Sequence, residues 1–274
     1  MIIGLDIGAA MTKGVLMKGK SIIKSHSILT EDPHASALKV LKALLEYAQE
    51  GQIRNVAISG GGSRRIGERL LGIPVIKVDE IQAIGMGGLT LAGKSEGLIV
   101  NTGTGTAIVA AYMCGKEIIH VGGTGVGGGT LLGLAERMIG IHNFEELERL
   151  AMSGDTCKVD LTVGDIVGGP IGIVPAEATA SNFGKINMKT SREDVAAGLF
   201  NMVCQVIGVI GAMAAKAYKL ENHVIVTGGL LKSNLASKII RDTMNLFGVN
   251  PQTPKNSEYC TAIGAVRLLL SRET

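Results

Sequence analysis

The chain has 274 residues, 46% of them hydrophobic, enough for a substantial core in one large or two ordinary domains. Its formal charge of +3, with no basic run interleaved with aromatics, argues against a nucleic-acid partner. Aromatics are 3% and Trp is absent, so the core is aliphatic, and the 39 glycines fall in turns. Cys114, Cys157, Cys204 and Cys260 are widely scattered, without a CxxC or a paired His. They read as reduced cytosolic thiols rather than a disulfide frame or a zinc site.

Residues 1–24 read as a β-meander, and the opening strand leaves no expected signal peptide. Ala35 to Glu50 is helical, with Leu38, Leu41, Leu44 and Leu45 on its apolar positions. Arg54 to Ser59 is a short buried strand running into Gly60-Gly61-Gly62. A helix from Ser63 to Leu71, a strand from Val75 to Val78 and a helix from Glu80 to Ala92 complete a first half. The pattern restarts at Leu98 with three strands to His120, then a glycine loop, Gly122 to Gly129, opening a helix from Thr130 to Met138. Phe144 to Ser153 is a short helix, and Asp160 to Ile173 is a polar, glycine-rich excursion. The segment Ala178 to Lys185 fits neither strand nor helix; it is a substrate loop or a connector. Arg192 to Lys219 is a long helix whose apolar stretch, Val195 to Ala217, is interrupted by Asn201 and Gln205, which favours a buried helix over a membrane span. A strand from His223 to Val226, the turn Gly228-Gly229, and helices over Asn234–Phe247 and Ala262–Ser271 finish the chain.

Two segments repeat one plan. Gly4-Leu5-Asp6-Ile7-Gly8-Ala9-Ala10-Met11-Thr12-Lys13 and Val100-Asn101-Thr102-Gly103-Thr104-Gly105-Thr106 each join apolar strands through a small-residue turn opened by Asp or Asn. Each then runs to a Gly-Lys turn, at Gly19-Lys20 and Gly115-Lys116. A returning unit suggests duplication. Two glycine-bearing hairpins offering N–H groups to one anion would form a nucleotide clamp. The duplicated βββαβα pattern predicts two α/β lobes, over residues 1–95 and 96–274, with a cleft between them.

Several residues can carry chemistry there. Asp6, at a strand end, suits Mg²⁺ held through water, though a turn-forming Asp looks the same. Lys13 faces either phosphate or solvent. The loop Gly122-Gly123-Thr124-Gly125-Val126-Gly127-Gly128-Gly129 would expose N–H groups and the positive end of a helix dipole to phosphate. It is neither a Walker A loop nor a Rossmann fingerprint. Gly228-Gly229 would let a flat base approach the backbone, or merely make a tight turn. Asp79-Glu80 stands at a strand end, where a carboxylate serves equally as a general base or a helix N-terminus.

With these residues in place the chain resembles the acetate and sugar kinase, Hsp70 and actin superfamily, and within it the type II pantothenate kinases. The most specific matches are Val121 to Thr130, Asp160-Leu161 through Asp165-Ile166 with Gly168-Gly169, and Ala180-Ser181-Asn182-Phe183-Gly184. The match is collinear over nearly the whole chain. It implies duplicated ribonuclease H-like (actin-like ATPase) lobes and an ATP-dependent, Mg²⁺-requiring cytoplasmic kinase for pantothenate or a similar small alcohol, acting as a homodimer without membrane association. By the resemblance Glu80, in Val78-Asp79-Glu80, is the catalytic carboxylate. Asp6, Gly8 and Lys13 form the first phosphate element, and Asn101, Gly103, Thr104, Gly105 and Thr106 the second. Gly122, Gly125, Gly127, Gly128, Gly129, Gly228 and Gly229 are nucleotide-binding. Thr104, His120, Ala180 and Asn182 line the acceptor.

Three departures stand out. The family carries Arg where this chain has His120, commonly Ser where it has Ala107, and Gly then Thr or Ser where it has Ala9 and Ala10. Two rivals share the fold: an ATPase activator of acyl-CoA dehydratases and a nucleotide-binding regulator. The activators carry cluster-ligating cysteines, and this chain has none in or just before Gly122–Gly129.

Overall fold

The computed structural model describes residues 1–49 and 51–272. Glu50, where the first helix was expected to end, and residues 273–274, the end of the expected second lobe, lie outside them.

The first half builds a sheet from β1 (Ile2–Ile7), β2 (Met11–Lys18), β3 (Ser21–Leu29), β4 (Val56–Ser59), β5 (Arg69–Leu70) and β6 (Ile73–Lys77), in the order β3-β2-β1-β4-β6-β5. β1 to β3 form an antiparallel meander, while β1, β4 and β6 run parallel. Helix α1 (Pro33–Leu45) starts at Asp32, whose side chain caps the Ala35 N–H, with Pro33 fitting the first turn. It buries Val40, Leu41 and Leu44 against Leu5, Leu16 and Ile58 on the outer sheet face. Helix α2 (Glu80–Ala92) follows, capped by Asp79 and ended by left-handed Gly93.

The second half repeats the plan. β7 (Gly97–Thr102), β8 (Thr106–Tyr112) and β9 (Glu117–Thr124) form a meander. α3 (Gly128–Ile139) and α4 (Phe144–Ala151) follow, then a hairpin of β10 (Leu161–Thr162) and β11 (Thr179–Ser181) enclosing α5 (Val163–Val167). α6 (Arg192–Ala217) leads to β12 (Val224–Thr227), which lies parallel to β7, and then α7 (Asn234–Leu246) and α8 (Cys260–Arg272). The order β12-β7-β8-β9, with a parallel bridge from Ile225 to Gln252, is the β6-β4-β1-β2-β3 order of the first half again, its last strand reduced to one residue. The duplication read from the hairpins is therefore a duplication of whole sheets.

α6 is long and apolar enough to cross a membrane by composition, yet most of it is buried in the protein. Val203, Cys204 and Ile207 sit in the second core with Val100 and Ile108.

The two inner faces meet through a crossed helix pair. α2 packs on β7, β8, β9 and β12, whereas the C-terminal α8 packs back on β1, β2 and β4. α2 and α8 also pack on each other. A Cβ at Gly264 would lie 1.8 Å from the Ala83 carbonyl oxygen, and one at Gly87 would lie 2.0 Å from that of Cys260. Only glycine fits this crossing.

One expected helix is absent. Between Ser63 and Leu71 the chain forms a 3₁₀ turn, Gly61–Arg65, and then the short strand β5. Leu71 and Gly72 take positive φ values of 51° and 79° and turn β5 into β6. A turn of that hand ends any helix, so the apolar residues Ile66 and Leu70 are buried from a loop and a strand instead. The segment from 178 to 185, expected to be irregular, contributes β11.

Candidate active site

Asp6 is the last polar residue of β1 and is in register with Lys13 on β2 and Ser59 on β4. Register partners share a face. This row lies on the face of Gly4, where an added Cβ would meet the Ala262 carbonyl of α8, so it looks into the space between the sheets. Burial raises the Asp6 pKa, and the Lys13 charge pulls it partly back. Lys13 is itself buried, and its Nζ lies 3.4 Å from where a Gly229 Cβ would stand. One lysine thus spans from the first-lobe carboxylate to the second-lobe turn.

Asn101 occupies the Asp6 position of the second sheet, in register with Ala107 and Thr227. Thr227 Oγ1 donates to Asn101 Oδ1 at 3.0 Å. The turns after β4 and β12 also correspond. Gly60 and Gly228 have φ of 86° and 108°, and each leads into a 3₁₀ turn, Gly61–Arg65 or Gly229–Lys232. Side chains there would collide: a Gly60 Cβ would be 2.6 Å from Asp6 Oδ1, a Gly228 Cβ 2.2 Å from the Thr102 carbonyl oxygen.

Glu80 opens α2 beyond the end of β6. Burial of its carboxyl raises its pKa first, and the charges of Asp6 and Asp79 raise it further. Asp6 and Glu80 are therefore close enough to feel one another. Asp79 spends an oxygen on the Gln82 N–H at 3.0 Å, which caps the helix and leaves Glu80 the freer carboxylate.

The glycine loop packs on the second hairpin. Gly128 and Gly129 donate to the Gly103 and Thr104 carbonyls, both at 2.9 Å. Gly127 donates to Thr130 Oγ1, and Val126 to Thr124 Oγ1. Gly8 donates to Met11 and Gly103 to Gly105. Among the described residues, the N–H groups of Ala9, Ala10, Thr104, Gly105 and Gly125 have no acceptor within the protein. The glycines expected to donate to phosphate at 8, 103, 127, 128 and 129 thus shape the loops, and their neighbours carry the free donors. Thr106, expected to face nucleotide, donates its hydroxyl to the Val126 carbonyl at 2.9 Å. Ala9 and Ala10 lose nothing as backbone donors by lacking polar side chains.

His120 is exposed on β9, in register with Val109, and its side chain makes no hydrogen bond or ion pair among the described residues. Ala180 is exposed on β11. Asn182 joins a polar cluster that the sequence did not reveal. Buried Asp160 accepts from the Phe183 N–H at 2.8 Å and from Asn201 Nδ2 at 2.6 Å. Asn182 Nδ2 lies 3.4 Å from both Asp160 Oδ2 and Gln205 Oε1, and Asn201 also donates to Thr179. The two polar residues that interrupt α6 pin the β10–β11 excursion to it. Lys185 and Asp165 form an ion pair within that excursion, and with the Thr162 bonds it holds the Asp165 carboxyl down at about 2.

A profile of the Fumble family matches residues 97–267. The chain belongs to the Fumble family, that of the type II pantothenate kinases. A type II pantothenate kinase of Bacillus cereus (strain ATCC 14579) is 30% identical over 243 residues, covering 85% of this chain and 85% of the relative. One from Oceanobacillus iheyensis is 30% identical over 273 residues, covering 96% and 98%. Among solved structures, the activator of 2-hydroxyisocaproyl-CoA dehydratase from Clostridium difficile, with bound ADPNP, superposes with TM-score 0.69 at 18% identity, covering 99% of this chain and 97% of that one. A ROK family glucokinase from Streptomyces griseus, in complex with glucose and AMPPNP, gives 0.61 at 14%, covering 97% and 98%. These likenesses show the fold, that of the actin-like ATPases and ROK sugar kinases.

Proposed function

We propose that this Fumble-family protein is an ATP-dependent kinase that phosphorylates the primary hydroxyl of pantothenate. Membership of the family, whose relatives from Bacillus and Oceanobacillus are named type II pantothenate kinases, supports the acceptor. The observation that carries the chemistry is the meeting of Asp6, Lys13 and Glu80 between two glycine-lined hairpins. Glu80 takes the proton from the attacking hydroxyl as the bond to the γ-phosphorus forms and the bond to the ADP oxygen breaks. Its raised pKa makes it a stronger base than a free carboxylate. The free N–H groups of Ala9, Ala10, Thr104, Gly105 and Gly125 receive the charge on the phosphoryl oxygens, where positioning and electrostatics do most of the work. Gly228-Gly229 and the adjacent turn take the base, and Lys13 lies beside them.

The residues fit Mg²⁺. Asp6 is a half-buried carboxylate whose pKa is raised by desolvation, with the Lys13 charge pulling it partly back, so a further cation there would stabilise its ionised form. Asp6 would hold the ion through water, and the ion would supply positive charge against the phosphates.

The acceptor lies near Thr104 and His120, with Ala180 and Asn182 on the excursion beyond. A cytoplasmic homodimer belongs to the same reading. Met202, Val206, Ile210 and Met213 leave a partly exposed apolar stripe along α6, with Met213 at 42% exposure. A coupled ADP assay tests the function: ADP release should require pantothenate mole for mole. Release at the same rate without pantothenate, or only with pantetheine or pantoate, refutes the assignment.

A further inference from the structure

The chain lacks a permanently charged group at position 120, so a carboxylate-bearing acceptor needs its cation elsewhere. β1, β4 and β6 are adjacent and parallel, so their carboxyl ends share one edge, where ligands of open α/β sheets bind. Asp6 ends the first of these strands and Glu80 follows the third. The turn after β4, the middle strand, must lie between them. That turn is Ser59-Gly60-Gly61-Gly62-Ser63-Arg64-Arg65, the first-lobe copy of Thr227-Gly228-Gly229 through Lys232.

The two copies differ in one informative atom. Thr227 spends its hydroxyl on Asn101. Ser59 is 0% exposed, shares a face with Asp6, and has no hydrogen-bond partner for Oγ. Buried hydroxyls in native proteins are paired, so an orphan beside Asp6 points to a group that arrives with the ligand. Arg64 and Arg65 are exposed and make no ion pair among the described residues. Other cations nearby are committed or averted. Lys13 serves Asp6, and Lys77 is in register with Ile58, on the opposite sheet face.

We propose that the Ser59–Arg65 turn recognises the acceptor: Arg64 and Arg65 hold its carboxylate, and the Ser59 hydroxyl meets the polar part of the acceptor nearer Asp6. A guanidinium offers a planar, permanently charged fork that matches a carboxylate, which His120 cannot. This assignment rests on the kinase reading.

The test compares pantothenate with pantothenol, in which an uncharged alcohol replaces the carboxylate. In the Arg64→Gln/Arg65→Gln double variant KM for pantothenate should rise about tenfold or more with kcat little changed, the mark of lost binding common to ground and transition states. KM for pantothenol should stay put. Ser59→Ala removes no bond within the protein, so its urea midpoint should not fall, while its KM for pantothenate rises. A double variant with wild-type KM for pantothenate, or with equal losses for both acceptors, overturns the assignment and leaves the kinase reading standing. An unchanged KM in Ser59→Ala removes the hydroxyl from it. A wild-type protein that yields no ADP with pantothenate overturns the kinase reading and this assignment together.

Discussion

The α2–α8 crossing makes a sharp prediction, because its tightness can be converted into a cost. A Cβ at Gly264 would stand 1.8 Å from the Ala83 carbonyl oxygen and 2.7 Å from the Gly87 nitrogen, against about 3.4 Å for an ordinary contact. Gly264→Ala must therefore push the helices about 1.6 Å apart. The colliding atoms are backbone, so no rotamer change relieves them. Overpacking costs about 1–3 kcal/mol, and backbone on both sides places this case near about 3. With a urea slope of roughly 3 kcal/mol per molar, the midpoint should fall by about 1 M. Gly87→Ala, whose Cβ would meet Cys260, should cost a similar amount. The double variant should cost clearly less than the sum, since one separation relieves both clashes. Gly133→Ala, on exposed α3 with nothing within 4 Å, should instead gain about 0.5–1 kcal/mol. Function should follow geometry: Glu80 opens α2, so a splayed crossing moves it from Asp6 and lowers kcat more than it raises KM for ATP. A Gly264→Ala protein within about 0.5 kcal/mol of wild type, the spread of ordinary surface changes, or strict additivity with Gly87→Ala, would refute the reasoning.

Other expectations concern chemistry and assembly. Glu80→Gln should cut turnover by about 10²–10⁴ while ATP still binds, and near-normal turnover would remove Glu80 as the base. The base works deprotonated, so activity should be lost as pH falls through its raised pKa. Asp79→Asn keeps an N-cap but removes one of the charges raising that pKa, so the acid limb of kcat/KM should move to lower pH; an unmoved limb would separate Asp79 from Glu80. Asp160→Asn keeps the shape of the Asp160–Asn201 cluster but loses charge-assisted bonds, and proteolysis in the 160–190 excursion should speed up measurably. Light scattering should give a dimer at micromolar concentration, and Val206→Glu on the α6 stripe should yield a monomer.

The sequence was most legible where a signal is local. The two hairpins, the glycine loop and the Glu80–Ala92 helix each lie within a few residues of chain, and the helix matches its expected limits. What it hid is contact between distant segments. Asp160, Thr179, Asn182, Asn201 and Gln205 look unrelated in sequence, and only the fold gathers them. Asn201 and Gln205 were visible as interruptions of an apolar run, a signal that they face something polar, though not what. The same blindness affected the free backbone donors. Glycine marks where a loop must bend tightly, but the bond that bends it consumes that residue's N–H. The free donors fall on neighbours such as Ala9, Ala10 and Thr104. The Ser63–Leu71 segment was misread because its apolar spacing suits a helix, while the left-handed Leu71-Gly72 turn that forbids one leaves little trace in composition.

The duplicated sheets also explain why the halves cannot be interchangeable. Their backbones place Asp6 and Asn101 at equivalent strand ends, both on inner faces. Two carboxylates there would each raise the pKa of the other in a space already short of charge compensation. An amide in the second copy avoids this: it accepts from Thr227 and adds no charge. The first copy keeps the carboxylate and has Lys13 to offset it. Ser59, in register with Asp6, has no such partner for its hydroxyl, whereas Thr227 has Asn101. The two copies thus differ in charge at one position: the first keeps a carboxylate beside a lysine, and the second keeps an uncharged amide bonded to a threonine.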